Sequence, residues 1–324
     1  MDVAYAGNKS TKLPINININ QLPDQYLAQG SALLAQVRNP FAPFVSVGTL
    51  SSPTVAQGQL LRPFPQFTSV NVRAIHAGAA IYHSAQFKVE RRFSGGFSIL
   101  GAYTISKMIT DSTSRLNINF TNPGYQNNNN LRAERSLGNV DVPQRLVLTY
   151  NWELPFGPGK RFLNAGGASR WLLGGWQLNG ITTIQHGPPL GLSTSANQTN
   201  SFGGGSRPNN NGKSAKITSG ATVDRLNQYF DTSVFSQPAP FTFGNVSRTL
   251  PDVREPGIVN FDFSVLKNTR LKERVNIQFR AEFFNLLNNT NFGGPGVTLG
   301  TSTFGVISSA ADGRTIQFGL KLLF

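Results

Sequence analysis

The chain has 324 residues, 39% hydrophobic and 14% charged, with 33 Gly, 24 Phe, no Cys and a formal net charge of +14. The lack of Cys excludes a disulfide framework and thiolate chemistry, and no run approaches the roughly 20 apolar residues of a membrane-spanning helix, although strands that cross a membrane leave a much weaker signal. The 29 Lys and Arg are scattered with no block of five or six, so the charge reads as solvated loops, interior surface and contacts to anionic lipid headgroups, not as a nucleic-acid patch.

The start, Met1-Asp2-Val3-Ala4-Tyr5, has neither the basic opening nor the apolar run of a secretory leader. An exported protein would therefore need a start that this sequence does not contain. Residues 2–6 read as a strand about half the ~9–11 residues that a tilted membrane strand needs. Residues 7–78 read as a long loop rich in Pro, Gly, Ser, Asn and Gln. Within it, Ile15, Ile17 and Ile19 alternate with Asn16, Asn18 and Asn20 as a short strand, and 25–37 has the pattern of a loop helix.

Residues 81–93 are the next strand. Ile81, Ala85, Phe87 and Val89 share one face, with His83 as an exception; Tyr82, Ser84, Gln86, Lys88, Glu90 and Arg92 share the other. Ser94-Gly95-Gly96 is a tight turn, and 97–109 returns with Phe97, Ile99, Tyr103, Ile105 and Ile109 on its apolar face, so the pair is a β-hairpin. A polar loop over 111–142 leads to a strand at 144–154, with Leu146, Leu148, Tyr150, Trp152 and Leu154 on one face. A Gly- and Pro-rich connection over 155–174 precedes a strand at 175–185 carrying Trp176, Leu178 and Ile184 on one face.

A second long loop spans about 187–257, and its Gly203-Gly204-Gly205 reads as flexible because it lacks the Lys-Ser/Thr of a phosphate loop. Strands at 258–269 and 275–287 follow, turned at 271–273, and a loop at 288–313 precedes the last strand. In that strand Ile316, Phe318, Leu320, Leu322 and Phe324 alternate with Thr315, Gln317, Gly319 and Lys321; only Leu323 breaks the pattern. A period of two gives one apolar and one polar face.

Long and short connections alternate strictly along the chain. Eight up-and-down strands would therefore gather every long loop at one end and every turn at the other, the asymmetry of an outer-membrane barrel with extracellular loops and periplasmic turns. The expected fold is all-β: an antiparallel up-and-down transmembrane β-barrel segment of about eight strands. Residues 1–78 supply a partial strand and a long extracellular loop, and 79–324 supply seven long strands. A first strand of five residues cannot pair along the last one, so an open or badly closed sheet is expected. Trp152, Trp176, Trp171 and Phe97 fall near the turn ends, as an aromatic girdle would.

The stretch at 279–292, Phe-Arg-Ala-Glu-Phe-Phe-Asn-Leu-Leu-Asn-Asn-Thr-Asn-Phe, resembles the penultimate-strand signature of TonB-dependent outer-membrane transporters, with Arg280, Glu282, Asn285 and Asn288 as its polar skeleton. The nearest likeness is the Oar-like subgroup. Gly101-Ala102-Tyr103-Thr104-Ile105-Ser106-Lys107, Asp141-Val142-Pro143-Gln144-Arg145, Leu154-Pro155-Phe156-Gly157 and Gly174-Gly175-Trp176-Gln177 add to it, so the likeness spans about 79–324.

The resemblance implies a 22-stranded barrel with a plug and a TonB box. This chain, with about eight strands and neither plug nor regulatory-like domain, looks like the carboxyl-terminal third of such a receptor. It also implies outer-membrane localisation, uptake of an unidentified ligand, and contacts with outer-membrane lipid and lipopolysaccharide. The TonB complex would be reached only through the missing plug. The terminal residues Ile316, Phe318, Leu320, Leu322 and Phe324 resemble the signal read by the barrel-assembly machinery.

Chemistry of other kinds finds little support. His76, His83 and His186 do not fall at metal-ligand spacing, and without Cys a zinc site has no thiolates. Asp262 and Glu282 would face the interior on neighbouring strands, where a carboxylate pair serves glycosidases; with Lys267, Arg280 and Arg145 near, an ion-pair lattice is the simpler expectation. No catalytic residue, cofactor site or metal site is expected, and no nucleic-acid partner. The competing function is a non-transporting surface-binding or structural barrel.

Overall fold

The computed structural model describes residues 1–112, 124–164, 172–272 and 275–324. Eight long strands run in chain order: β1 (Asp2–Asn18), β2 (Asn71–Ser94), β3 (Phe97–Thr110), β4 (Gln144–Glu153), β5 (Trp176–Gln185), β6 (Ile258–Lys272), β7 (Val275–Phe284) and β8 (Thr315–Leu323). Each pairs antiparallel with its sequence neighbours, and a two-residue strand, Ser136–Leu137, adds to β3. The architecture is an antiparallel meander, as the alternating connections require.

The register sets like against like. Phe87 lies opposite Tyr103, and Leu146 opposite both Tyr103 and Ile184. Val265 lies opposite Leu178 and Ala281, Phe263 opposite Phe283, and Phe279 opposite Leu320. A one-residue slip at any seam would move a whole apolar row to the polar face, so alternation and register specify each other. The turn between β2 and β3 is set by Gly95 and Gly96, at φ 61° and 85°. A two-residue hairpin loop of this hand needs positive φ at both positions, which glycine alone adopts freely.

The apolar row is exposed. Phe318 is 68% and Leu320 75% accessible, and Val89, Ile105, Trp152 and Phe279 are all open on the same face. The buried apolar residues lie mostly in the loops. Leu190, Leu192, Phe230, Val234, Phe235, Val246, Leu250 and Val253 form one cluster, and Leu22, Leu27 and Leu33 form another. In water such a sheet would leave an apolar patch far beyond a monomer's usual few hundred Å². In hydrocarbon it is the surface that the solvent demands, and the ladder satisfies the backbone groups along its interior.

Three expectations change. The first strand is not five residues long but 17: it runs through 7–14, read as loop, into the short strand expected from Ile15, which ends at Asn18, and residues 71–78 are strand instead of loop. Beyond Ser10 the pairing of β1 with β2 shifts repeatedly, past Lys12 at φ 56° and Pro14, until Ile15 meets Ile75 and Ile17 meets Val72. β3 ends opposite Ala80, so this upper part of the hairpin projects beyond the rest of the sheet. The helix expected at 25–37 is a 3₁₀ stretch, Asp24–Leu34, broken at Gly30 (φ 55°).

The sheet is open: β1 and β8 each pair with one neighbour and not with each other. A short first strand is not the reason. An eight-stranded barrel has an interior that side chains must fill, and the face opposite the apolar row carries Gln86, Lys88, Glu90, Arg145, Gln278, Arg280, Glu282 and Lys321. These groups suit the water of a wide lumen.

Candidate functional site

The loop end of the sheet carries a folded cap. Its first segment (19–70) includes a small hairpin of Gln36–Arg38 with Thr54–Ala56. Its third (186–257) pairs Asn209–Asn210 with Phe235–Ser236, and Ser193–Thr194 pairs in parallel with Thr298–Leu299 of the last loop. Asparagine and glutamine side chains bond across segments. Gln21 Nε2 donates to Asn127 Oδ1 (2.6 Å), Asn128 Nδ2 donates to the Gly203 carbonyl (2.8 Å), and Asn129 Nδ2 donates to Asp24 Oδ1 (2.9 Å).

Gly203 and Gly204 are packing positions, contrary to the flexible loop expected. A Cβ on Gly203 would stand 2.3 Å from Gln21 Cβ, and one on Gly204 would stand 2.1 Å from the Gln126 carbonyl oxygen. The third loop can approach the first and second this closely only where there is no side chain.

Charged residues lock the cap. Glu134, fully buried, accepts from Arg207 Nη1 at 2.6 Å and Nη2 at 3.2 Å, and from the backbone N–H groups of Gln126 and Asn127. Arg248, also fully buried, donates to the carbonyls of Glu134, Ser112 and Thr110. Burial pulls the Arg248 pKa down, and Tyr125 and Glu134 oppose that pull. Arg254 donates to Asp141 Oδ2 at 2.6 Å, and Asp141 Oδ1 accepts from the Met108 N–H at the top of β3. The Asp141-Val142-Pro143-Gln144-Arg145 stretch thus fastens the second loop to the sheet and to the end of the third loop. The sequence offered no signal for Glu134, Arg207 or Arg248 beyond charges in polar loops.

Below the cap, the polar face carries side-chain bonds between strands. Gln177 Nε2 donates to Asn151 Oδ1 (2.9 Å), Asn179 Nδ2 to Ser264 Oγ (3.3 Å) and Gln278 Nε2 to Asn268 Oδ1 (3.0 Å). Asp262 and Glu282 line one concavity of about 350 Å³ on this face. The expected ion-pair lattice is not there. Among the described residues no ion pair joins either carboxylate to Lys267, Arg280 or Arg145. Asp262 Oδ1 instead accepts from the Asn285 N–H, and Lys267 stands on the opposite, apolar face, across from Trp176 and Phe279. Among the described residues no group of three or more His, Cys, Asp or Glu is placed to hold a metal ion.

The polar skeleton at 279–292 divides in two. Arg280 and Glu282 lie on the polar face of β7. Asn285 and Asn288 form the corner above it, at φ 54° and 53°. Asn285 bonds Asn289 twice, accepting from its N–H and donating to its carbonyl, and Asn288 Oδ1 accepts from the Arg314 N–H at the approach to β8. Asn tolerates the left-handed region because its short polar side chain finds local partners. This corner joins β6, β7 and the entry to β8.

At the turn end, Phe97 lies opposite Trp152, and Trp176 lies opposite Lys267, all on the apolar face. The Lys267 ammonium sits 4.8 Å from the Trp176 ring centre and the Arg91 guanidinium 5.4 Å from that of Phe97. Trp171 lies outside the described residues. Ile316, Phe318, Leu320 and Leu322 face outward along β8, and Phe324 follows it, 96% exposed.

No curated protein matches this chain. A family model described as an outer membrane beta barrel domain matches residues 1–317.

Proposed function

From the chain's membership of the outer membrane beta-barrel domain family, which makes it an outer-membrane protein, we propose that it forms part of the wall and the outer cap of a TonB-dependent receptor of the Oar-like kind. In such a receptor it would help take up a scarce ligand whose entry a plug controls. The observation that carries this reading is the open eight-strand sheet with one apolar and one polar, charged face. A wall of this kind belongs to a lumen too wide for side chains to fill. The likeness of 279–292 to the transporter signature adds to it.

On this reading the apolar rows face lipid, and Phe97, Trp152 and Trp176, with Trp171 beside them in sequence, form the periplasmic aromatic girdle. Ile316, Phe318, Leu320, Leu322 and Phe324 are what the barrel-assembly machinery reads. The partners are phospholipid, lipopolysaccharide and, through a plug, the TonB complex. The chain does no catalysis and needs no cofactor.

A second reading, a surface-binding barrel without transport, is favoured by the cap, whose two apolar clusters and buried ion pair make it a folded body in its own right. The DNA upstream of Asp2 separates the two. An in-frame plug domain with a TonB box supports the receptor. A signal peptide joined directly to Asp2 removes it in favour of the surface-binding barrel.

A further inference from the structure

We infer that the pocket beside Arg62 in the loop cap is a binding site for a small organic carboxylate with an apolar body. The pocket measures about 510 Å³ and is lined by Leu50, Thr54, Val55, Arg62 and Thr68 of the first loop and by Phe202 of the third. That volume lies within the usual range for small-molecule sites, which pair apolar walls with a few placed polar groups.

Arg62 is 5% exposed. Its Nε donates to the Asn20 carbonyl (2.6 Å) and its Nη1 to Gln59 Oε1 (2.7 Å). Its Nη2 donates to the carbonyls of Thr68 (2.7 Å) and Phe202 (3.2 Å). Every one of these acceptors is neutral. Among the described residues no carboxylate forms an ion pair with it, and burial alone pulls its pKa down. Arg248 sits in a similar cage of carbonyls, but there the charges of Glu134 and Asp111 act on it. Of the two caged arginines, then, one has acids near it and the other has a pocket. A buried cation without a counter-charge is unfavourable, and an anion that enters relieves it.

The chemistry narrows the anion. The cage uses four of the five guanidinium N–H groups, leaving the second N–H of Nη1. Leu50 and Val55 are buried apolar walls, and the Phe202 ring stands 5.3 Å from the guanidinium. A phosphate would bring close to two charges and three acceptors that need donors. A carboxylate brings one charge, and its hydrocarbon body fits the walls. The inference rests on the cap alone and holds whether or not the barrel transports.

The test is equilibrium dialysis of radiolabelled hexanoate and benzoate against outer membranes carrying the full chain, with hexanamide and benzamide as uncharged controls. Saturable binding of at least one acid is expected, with the matching amide about tenfold weaker or more, since a charge-assisted bond is lost. Arg62→Gln should abolish the preference for acid over amide. Because that change touches four bonds of the cap, Thr54→Trp serves beside it. Thr54 is an exposed lining residue outside the Arg62 cage, and the indole should obstruct the pocket and lower acid binding by a similar factor. Non-saturable uptake, equal binding of acid and amide, or unchanged binding in Thr54→Trp would each overturn the inference.

Discussion

Glu134 and Arg207, 73 residues apart in the chain, form a two-pronged ion pair inside the cap, with side chains 0% and 5% exposed. The pair joins the second extramembrane loop to the third, between which, among the described residues, no strand pairing runs. Buried pairs of this sort are costly to break singly, because the remaining charge keeps its burial and loses its partner.

Arg207→Met should therefore destabilise the cap by about 3–5 kcal/mol, and Arg207→Met with Glu134→Gln by much less. Hydrogen exchange over 124–143 and 186–257 measures it. Fast exchange in the single variant, largely restored in the double, with the strands unchanged, is the expected pattern. Equal exchange in both would mean that the pair does not hold the cap.

Phe279 and Leu148 lie on the apolar face, and Gln278 on the polar face. Phe279→Arg or Leu148→Arg should cost about 2–4 kcal/mol if its position falls near the bilayer midplane, and Gln278→Arg far less. Urea titration of the protein folded into bilayers reads the difference. Equal tolerance at 278 and 279 would place lipid on neither face.

The corner at Asn288 combines a left-handed backbone with a bond from Asn288 Oδ1 to the Arg314 N–H. Asn288→Gly keeps the conformation and loses the bond. Asn288→Ala loses both and should be less stable than the Gly variant by about 1 kcal/mol. The order Asn, Gly, Ala in unfolding midpoint is the check.

Phe324 buries almost nothing in this chain. Phe324→Ala should leave unfolding stability within about 0.5 kcal/mol and, on the proposal that this residue is read during assembly, still slow insertion into outer membranes. Normal insertion with lost stability would reverse that assignment.

The sequence makes the membrane-embedded sheet legible, because one solvent sits on each face. Ile316 to Leu322 and Val259 to Val265 carry the period of two directly. It hides the upper part of β1. Residues 7–10 pair level with the end of β3 and 11–18 project beyond it; the run Gly-Asn-Lys-Ser-Thr-Lys at 7–12 holds no apolar side chain, so no alternation marks it as strand. The cap is hidden for another reason. Leu190, Ala215, Phe230 and Val246 pack together from irregular backbone, and irregular backbone has no period to show. Arg62 stands alone among Leu60, Leu61, Pro63 and Phe64, and Glu134 lies between Arg132 and Arg135; only the folded cap reveals what surrounds them.

The open meander itself is tested by disulfide trapping, which the chain permits because it holds no Cys. Cys pairs would be placed at Phe279 with Leu320, opposite one another on β7 and β8, and at Val3, Tyr5 or Gly7 with Ile316, Phe318 or Leu320, across the two free edges. In outer membranes the first pair should cross-link readily, and no combination of the second set should do so within one chain. Efficient cross-linking between β1 and β8 within one chain would mean a closed eight-stranded barrel and would contradict the wide-lumen wall.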